Sequence, residues 1–218
     1  MTELLRQRSR ACLLTGALLV AATAATAQNR DSELTGYFGA SAGQARLKLT
    51  NPSVPLAGNG CAAGATACDL RPIGGKLFVG QTFSPVWAME LAYYNTGSGR
   101  AEGPDGSFVL ARTVMLDGLA ASAVARLSFG SVFASARAGV ALARLSRSDR
   151  LTNPANGTFG QGSDENTVVR PLLGLGAGYQ INKRAALHLD WDRAEGVVNQ
   201  SKERFRADMF TLGLSYRY

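Results

Sequence analysis

The last nine residues of the chain alternate strictly. Phe210, Leu212, Leu214, Tyr216 and Tyr218 share one parity, and Thr211, Gly213, Ser215 and Arg217 share the other. Successive side chains of a strand point to opposite faces, so this segment has one greasy face and one small or polar face. A helix, with its period of 3.6, cannot separate these two sets. The pattern recurs upstream. Leu187, Leu189 and Trp191 oppose His188, Asp190 and Asp192, while Val132, Ala134, Ala136, Ala138, Val140 and Leu142 oppose Ser135, Arg137 and Gly139. In each strand the charges fall on the polar parity. The chain must therefore build sheet, and the open question is which face of that sheet meets water.

Eight segments carry strand composition: Gly36–Leu49, Gly74–Phe83, Val86–Tyr94, Arg112–Leu127, Val132–Leu145, Val168–Ile181, Ala185–Arg193 and Phe205–Tyr218. The connections between them alternate. Short turns fall at Ser84-Pro85, Ser128 to Ser131 and Asn182 to Arg184; long polar ones fall at Thr50–Ile73, Asn95–Leu110, Ser146–Thr167 and Ala194–Arg204. Sorting of this kind is expected when the two ends of a sheet face different compartments, with short turns periplasmic and long loops extracellular. An open sheet in hydrocarbon would leave unpaired backbone groups at several kcal/mol each. The expectation is an all-β fold: an eight-stranded antiparallel up-and-down transmembrane β-barrel. A soluble, lipocalin-like barrel would reverse the parity and put Arg137 and Arg217 outside. An Arg on the lipid face near the midplane costs about 2–4 kcal/mol, so a membrane turns both toward the axis.

The N-terminus supports export. Arg6, Arg8 and Arg10 precede an uncharged apolar run from Cys12 to Ala25, and Ala25-Thr26-Ala27 supplies small residues for cleavage. Residues 1–27 read as a cleavable signal peptide and 28–218 as the barrel domain. The run is shorter than the roughly 20 residues of a spanning helix. Cys12 starts the run, whereas a lipidated Cys would follow it. Cleavage removes three Arg and one Glu from totals of 23 basic and 16 acidic residues, so +7 becomes +5. The remaining basic residues are scattered singly, which argues against a nucleic-acid face. Only Cys61 and Cys68 then remain, and an exported chain with two close cysteines reads as one disulfide.

Several stretches resemble the OmpA-like group of small outer-membrane barrels, which includes opacity-type surface proteins. KLFVGQTFSPVWAMELAYYNTGSG is similar to that family's strand-turn-strand signature, matching at Lys76, Gly80, Phe83, Glu90, Tyr93 and Gly97. RPLLGLGAGYQINKRAALHLDWD resembles its sixth and seventh strands through Pro171, Gly174, Gly176, Gly178 and Tyr179, and ASAVARLSFGSVFASARAGVALAR its fourth and fifth. Thr211, Gly213, Tyr216 and Tyr218 resemble the C-terminal signal read by the outer-membrane assembly machinery, with Tyr where a terminal Phe is commoner. The resemblance implies outer-membrane localisation, contact with outer-membrane lipids and lipopolysaccharide, and passage through periplasmic chaperones. No peptidoglycan-binding domain is expected after Tyr218. The resemblance also implies a lumen filled by acidic and basic side chains.

Inward parity selects Lys76, Glu90, Arg126, Arg137, Arg170, Asp190 and Asp192 for that network. Glu90 is the expected central acid, with Lys76, Arg126 and Arg137 as partners. His188, the single histidine, reads as a lumen-lining residue with no Ser beside it, so no catalytic triad is expected. Trp87, Tyr179 and Tyr218 near the short turns, with Tyr93 and Trp191 further up, read as interface girdles. Arg100, Arg112, Arg144, Arg147, Arg150, Arg204 and Arg206 lie at or beyond the outer strand ends, as lipopolysaccharide partners or solvated loop charges. Gly174 to Gly178 lies mid-strand with no helix after it, so it is not a phosphate loop. The leading function is a structural, surface-exposed protein whose loops meet a ligand by adhesion or recognition. The alternatives are a small porin-like channel and, behind it, a lipid A-modifying enzyme. No enzyme activity, cofactor or metal is expected.

Overall fold

The computed structural model describes residues 35–50, 66–105, 107–198 and 203–218. The segment 1–27 and Cys61 lie outside the described residues. Nine strands form one antiparallel sheet: β1 Gly36–Thr50, β2 Ala67–Asp69, β3 Ile73–Thr82, β4 Trp87–Asp105, β5 Phe108–Phe129, β6 Val132–Thr152, β7 Phe159–Gln180, β8 Ala185–Val198 and β9 Glu203–Arg217. Every strand but β2 joins the ring, which β4–β5 and β1–β9 pairing closes. The expected eight-stranded barrel is the observed one.

Its short turns follow from local chemistry. Ser84 Oγ accepts the Trp87 N–H at 2.9 Å, so a side chain satisfies a backbone donor at the β3–β4 turn. Asn182 Oδ1 does the same for Arg184 and Ala185, at 2.8 Å each. Between β5 and β6 the Phe129↔Val132 pair leaves a two-residue turn, and Gly130 supplies its positive φ of 64°.

Alternation decides the faces. On β9, Thr211 is 1% exposed while Leu212 is 57% exposed. Leu173, Leu175, Leu187, Leu189, Val140 and Leu142 are likewise exposed, whereas Arg137 and Asp190 are buried. The lipid-facing stripe is thus outside and the charges are at the axis. Trp87, Tyr179, Tyr216 and Tyr218 project outward at the short-turn end. Tyr218 lies ten residue steps beyond Asp208 of β9; at about 3.3 Å per residue and a tilt near 40° this spans about 25 Å, the height of the apolar band.

The outer half departs from expectation. Much of what reads as long loop is strand. β4 continues past Asn95 through a bulge, where Gly97 takes a φ of 73° and the register shifts before Ser98. β5, β6 and β7 run paired to Val109↔Thr152 and Thr152↔Phe159. β8 extends to Val198, paired with β9 at Glu203. The expected Thr50–Ile73 loop contains β2, which pairs with β4 at Glu102 to Arg100. Alternation stopped signalling these extensions because strands above the membrane lose their lipid face, and residues 159–165 are exposed on both sides. β7 and β8 pair only from Leu172↔Ala194 downward, and Pro171, with no N–H to give, sits where that pairing ends.

Candidate functional site in the barrel lumen

The lumen is layered. Nearest the short turns lies an apolar cluster of Tyr37, Phe78, Ala88, Ala92 and Val124. Arg126 stacks over the Tyr37 and Phe133 rings at 5.5 and 4.4 Å from their centroids. Glycines make room here: a Cβ on Gly80 would strike the Tyr37 ring, and one on Gly178 would strike Phe133.

Above it sits the charge network. β3, β4, β6 and β8 deliver Lys76, Glu90, Arg137, Asp190 and Asp192, all 7% exposed or less. Lys76 Nζ donates to Asp190 Oδ2 at 2.9 Å and to Asp192 Oδ2 at 3.0 Å. Arg137 Nη1 donates to Asp192 Oδ1 at 2.5 Å. Arg137 Nε lies 3.0 Å from Glu90 Oε1, close enough for an ion pair but not aligned as a hydrogen bond. The Tyr37 hydroxyl donates to Glu90 Oε2 at 3.2 Å. Arg137 therefore bridges two acids on different walls of the barrel. Isolated buried charges cost several kcal/mol each, and only this mutual satisfaction makes their burial tolerable.

The partners differ from the parity reading in three places. Glu90 is paired with Arg137 and Tyr37, whereas Lys76 belongs to the two aspartates. Arg126 is held by aromatic faces rather than by a carboxylate. Arg170 has inward parity, yet its Nε and Nη2 have no hydrogen-bond partner among the described residues. Parity fixes the face of each residue, but the stagger of strands around the ring fixes its neighbours.

His188 is 6% exposed, and its Nδ1 lies 2.9 Å from Asp190 Oδ2. A serine does stand near it, against expectation. Gly213 pairs with His188 on one side and Ser41 on the other, and a Cβ there would meet both side chains. Ser41 Oγ and His188 Nε2 have no hydrogen-bond partner among the described residues. Asp190 is shared with Lys76, and all three residues of the group are buried. Gly213, having no side chain, leaves the space in which the two converge.

Above the network lies a cavity of about 40 Å³, lined by Tyr94, Thr96, Asp192, Leu172 and Met209 among others. Small-molecule pockets run to about 300–1,000 Å³, so this space suits a few waters. A second apolar layer then crosses the lumen: Leu47, Val114, Leu116, Ala143, Leu145, Phe205 and Ala207. Alternation did not predict it.

The outer arginines are largely neutralised. Arg112 donates to Asp149 from Nε and Nη2 at 2.7 and 2.9 Å, and Arg147 donates to the same carboxylate at 2.7 Å. Arg144 donates to Asp117, and Arg100 to Glu102. Burial alone would raise the Asp149 carboxyl, but the hydrogen bonds from Arg112 and Arg147 hold it below its ordinary value. Arg150 rests on the Phe159 ring, 4.9 Å from its centroid. Cys68 lies on β2 opposite Ala101.

A closed sheet with an apolar belt, aromatic girdles and a charged axis has its counterpart among known proteins. A family model described as outer membrane protein beta-barrel domain matches residues 15–218. The chain belongs to that family. The barrel is accordingly an outer-membrane protein, with its strands in the bilayer. Compared directly with curated protein sequences, the chain finds no match. Among solved structures, Neisserial surface protein A is similar at a TM-score of 0.50 and 13% identity, covering 84% of this chain and 97% of that one. The attachment invasion locus protein Ail of Yersinia pestis gives 0.48 and 12%, covering 84% and 99%. OprG from Pseudomonas aeruginosa gives 0.43 and 14%, covering 87% and 99%. At these identities the likeness is one of fold.

Proposed function

We propose that this barrel is a structural anchor in the outer membrane whose outer hairpins form a contact surface, and that it is not an enzyme. One observation carries the reading: the lumen is filled in layers, apolar, charged, then apolar again. A charged layer lying between two apolar clusters favours a packed lumen over an open channel, since eight strands leave an interior just wide enough for side chains. By contrast β4–β5 and β6–β7 carry ordered backbone well beyond the apolar belt. Segments held out by a rigid scaffold are where recognition usually resides. In this reading a Cys61–Cys68 disulfide braces the outer β1–β2 connection. Thr211, Gly213, Tyr216 and Tyr218 address the chain to periplasmic chaperones and the assembly machinery.

Two measurements test the reading. The refolded protein in a planar bilayer is expected to be silent; a steady, ion-selective opening would instead make it a channel. Replacing residues 150–161 by an Asn-Gly turn should leave the barrel folded and reduce attachment of expressing cells to solid surfaces or cell monolayers. Unchanged attachment would remove the contact surface from the proposal.

A further inference from the structure

The wall formed by β8, β9 and β1 differs from the rest of the barrel at the level where the apolar belt ends. Registers place Trp191, Phe210 and Gln44 in one outward row, Arg193, Asp208 and Arg46 in the next, and Glu195, Arg206 and Lys48 above that. Trp191 and Phe210 are outer girdle aromatics with centroids 6.5 Å apart. The row above them thus lies at the height of lipid headgroups.

Four cations meet two carboxylates there. Asp208, only 6% exposed, accepts from Arg193 Nε at 2.6 Å and from Trp191 Nε1 at 3.1 Å. Glu195 takes Arg206 at 2.6 Å. Arg193 also lies over the Trp191 ring, 4.8 Å from its centroid. Both acids are thus engaged from the β8 side. Arg46 and Lys48 on β1 have no carboxylate partner among the described residues. Lys48 also stands directly across from Arg206, and like charges directly opposite on neighbouring strands destabilise a sheet. An anion lying against β1 and β9 removes that repulsion.

The opposite wall provides the contrast. At the same level Asp117 is paired with Arg144, which also approaches Glu165 at 3.4 Å. That site has more acid than base.

We propose that Arg46 and Lys48, with Arg206 beside them, bind a phosphate of an outer-leaflet lipid headgroup, its acyl chains lying down the Phe210–Leu212–Leu214 stripe. This deepens the anchor reading but rests only on the barrel spanning the outer membrane, so it survives if the outer hairpins contact nothing. The source is committed to lipid because the cations stand directly above a lipid-facing aromatic row, and Arg forks suit phosphate oxygens.

The test uses the full-length protein refolded in phosphatidylcholine vesicles, with diphosphorylated lipid A as probe and lipid A stripped of its phosphates as control. Wild-type protein should retain the phosphorylated form preferentially through gel filtration in neutral detergent. Arg46→Gln with Lys48→Gln should weaken retention about tenfold or more, since each cation near a membrane surface contributes appreciably. Arg144→Gln on the opposite wall should leave it unchanged. Equal retention of the stripped lipid, an unaffected double variant, or an equal loss in Arg144→Gln would each overturn the site. Full displacement by millimolar inorganic phosphate would overturn the lipid assignment. If the double variant does not fold, the comparison of the two lipids on wild-type protein and on Lys48→Gln alone still decides.

Discussion

Two sets of ion pairs in this molecule use the same residue types under different conditions. In the mid-barrel, Arg137, Lys76, Glu90, Asp190 and Asp192 lie between apolar clusters, with side chains 6% exposed or less. On the outer sheet, Arg112, Arg147 and Asp149 form an equally tight cluster in which Arg112 is only 7% exposed, but Asp149 is 19% and Arg147 27% exposed. Distances hardly distinguish the two sets. What differs is the alternative each charge has when its partner is lost. An outer charge turns to water, whereas an inner one stays trapped with its field unscreened. The inner set therefore locks the barrel together, and the outer set trims the hairpins.

The comparison is tested most severely at Arg137. Arg137→Ala strands Glu90 and deprives Asp192 of one donor, and should cost about 3–5 kcal/mol in urea unfolding from lipid vesicles. A loss under 1 kcal/mol would show that the inner network is solvated, and the distinction would fail. Glu90→Ala should cost less, roughly 2–3 kcal/mol, because Arg137 keeps Asp192 while the Tyr37 hydroxyl loses its acceptor. Heat-modifiability on gels should follow the same order, and a larger effect for Glu90 than for Arg137 would reverse the assignment of the bridging residue.

Acid should separate the two sets. Asp149 is held below its ordinary value of 3.8. Its contribution is present in full above that value and is lost as pH falls through the lower, folded value. As pH falls below 3.8, amide protection, corrected for the intrinsic exchange rate at each pH, should be lost first along the outer β5–β6 ladder, Val109 to Met115 against Ser146 to Thr152. Membrane-embedded amides should stay protected; simultaneous loss would mean that the outer sheet is not an independent unit. The smallest effect belongs to Arg144→Gln, on the order of 1 kcal/mol, because Arg144 is 37% exposed and solvent substitutes for it. A loss as large as that of Arg137→Ala would erase the contrast.

Legibility in the sequence followed the lipid. Where an outward face touches hydrocarbon, every second residue is forced to be apolar, and Leu187 to Trp191 or Val132 to Leu142 declare both strand and face. Above the belt that pressure ends. Val114, Leu116, Leu145 and Phe205 turn inward there, as in a water-soluble protein, so the parity rule reverses its meaning within single strands. The bulge at Gly97 offsets β4 and hid its extension to Asp105. β2 is only three residues long, too short for a period to be seen. At the site, Arg137, Lys76, Asp190 and Asp192 were all legible as inward. Ser41 approaching His188 was not, because the approach crosses Gly213 between strands far apart in the chain.

The sequence alone determined that strands would form, that they would face lipid with one parity and that their charges would gather at the axis, since side-chain alternation is a local property of extended backbone. Which acid meets which base, which apolar side chains meet across the lumen, and which cations are left over on the β8–β9–β1 wall were decided only by ring closure. Pairing the first strand with the last sets the stagger of every strand between them, and that stagger is a property of the whole cylinder.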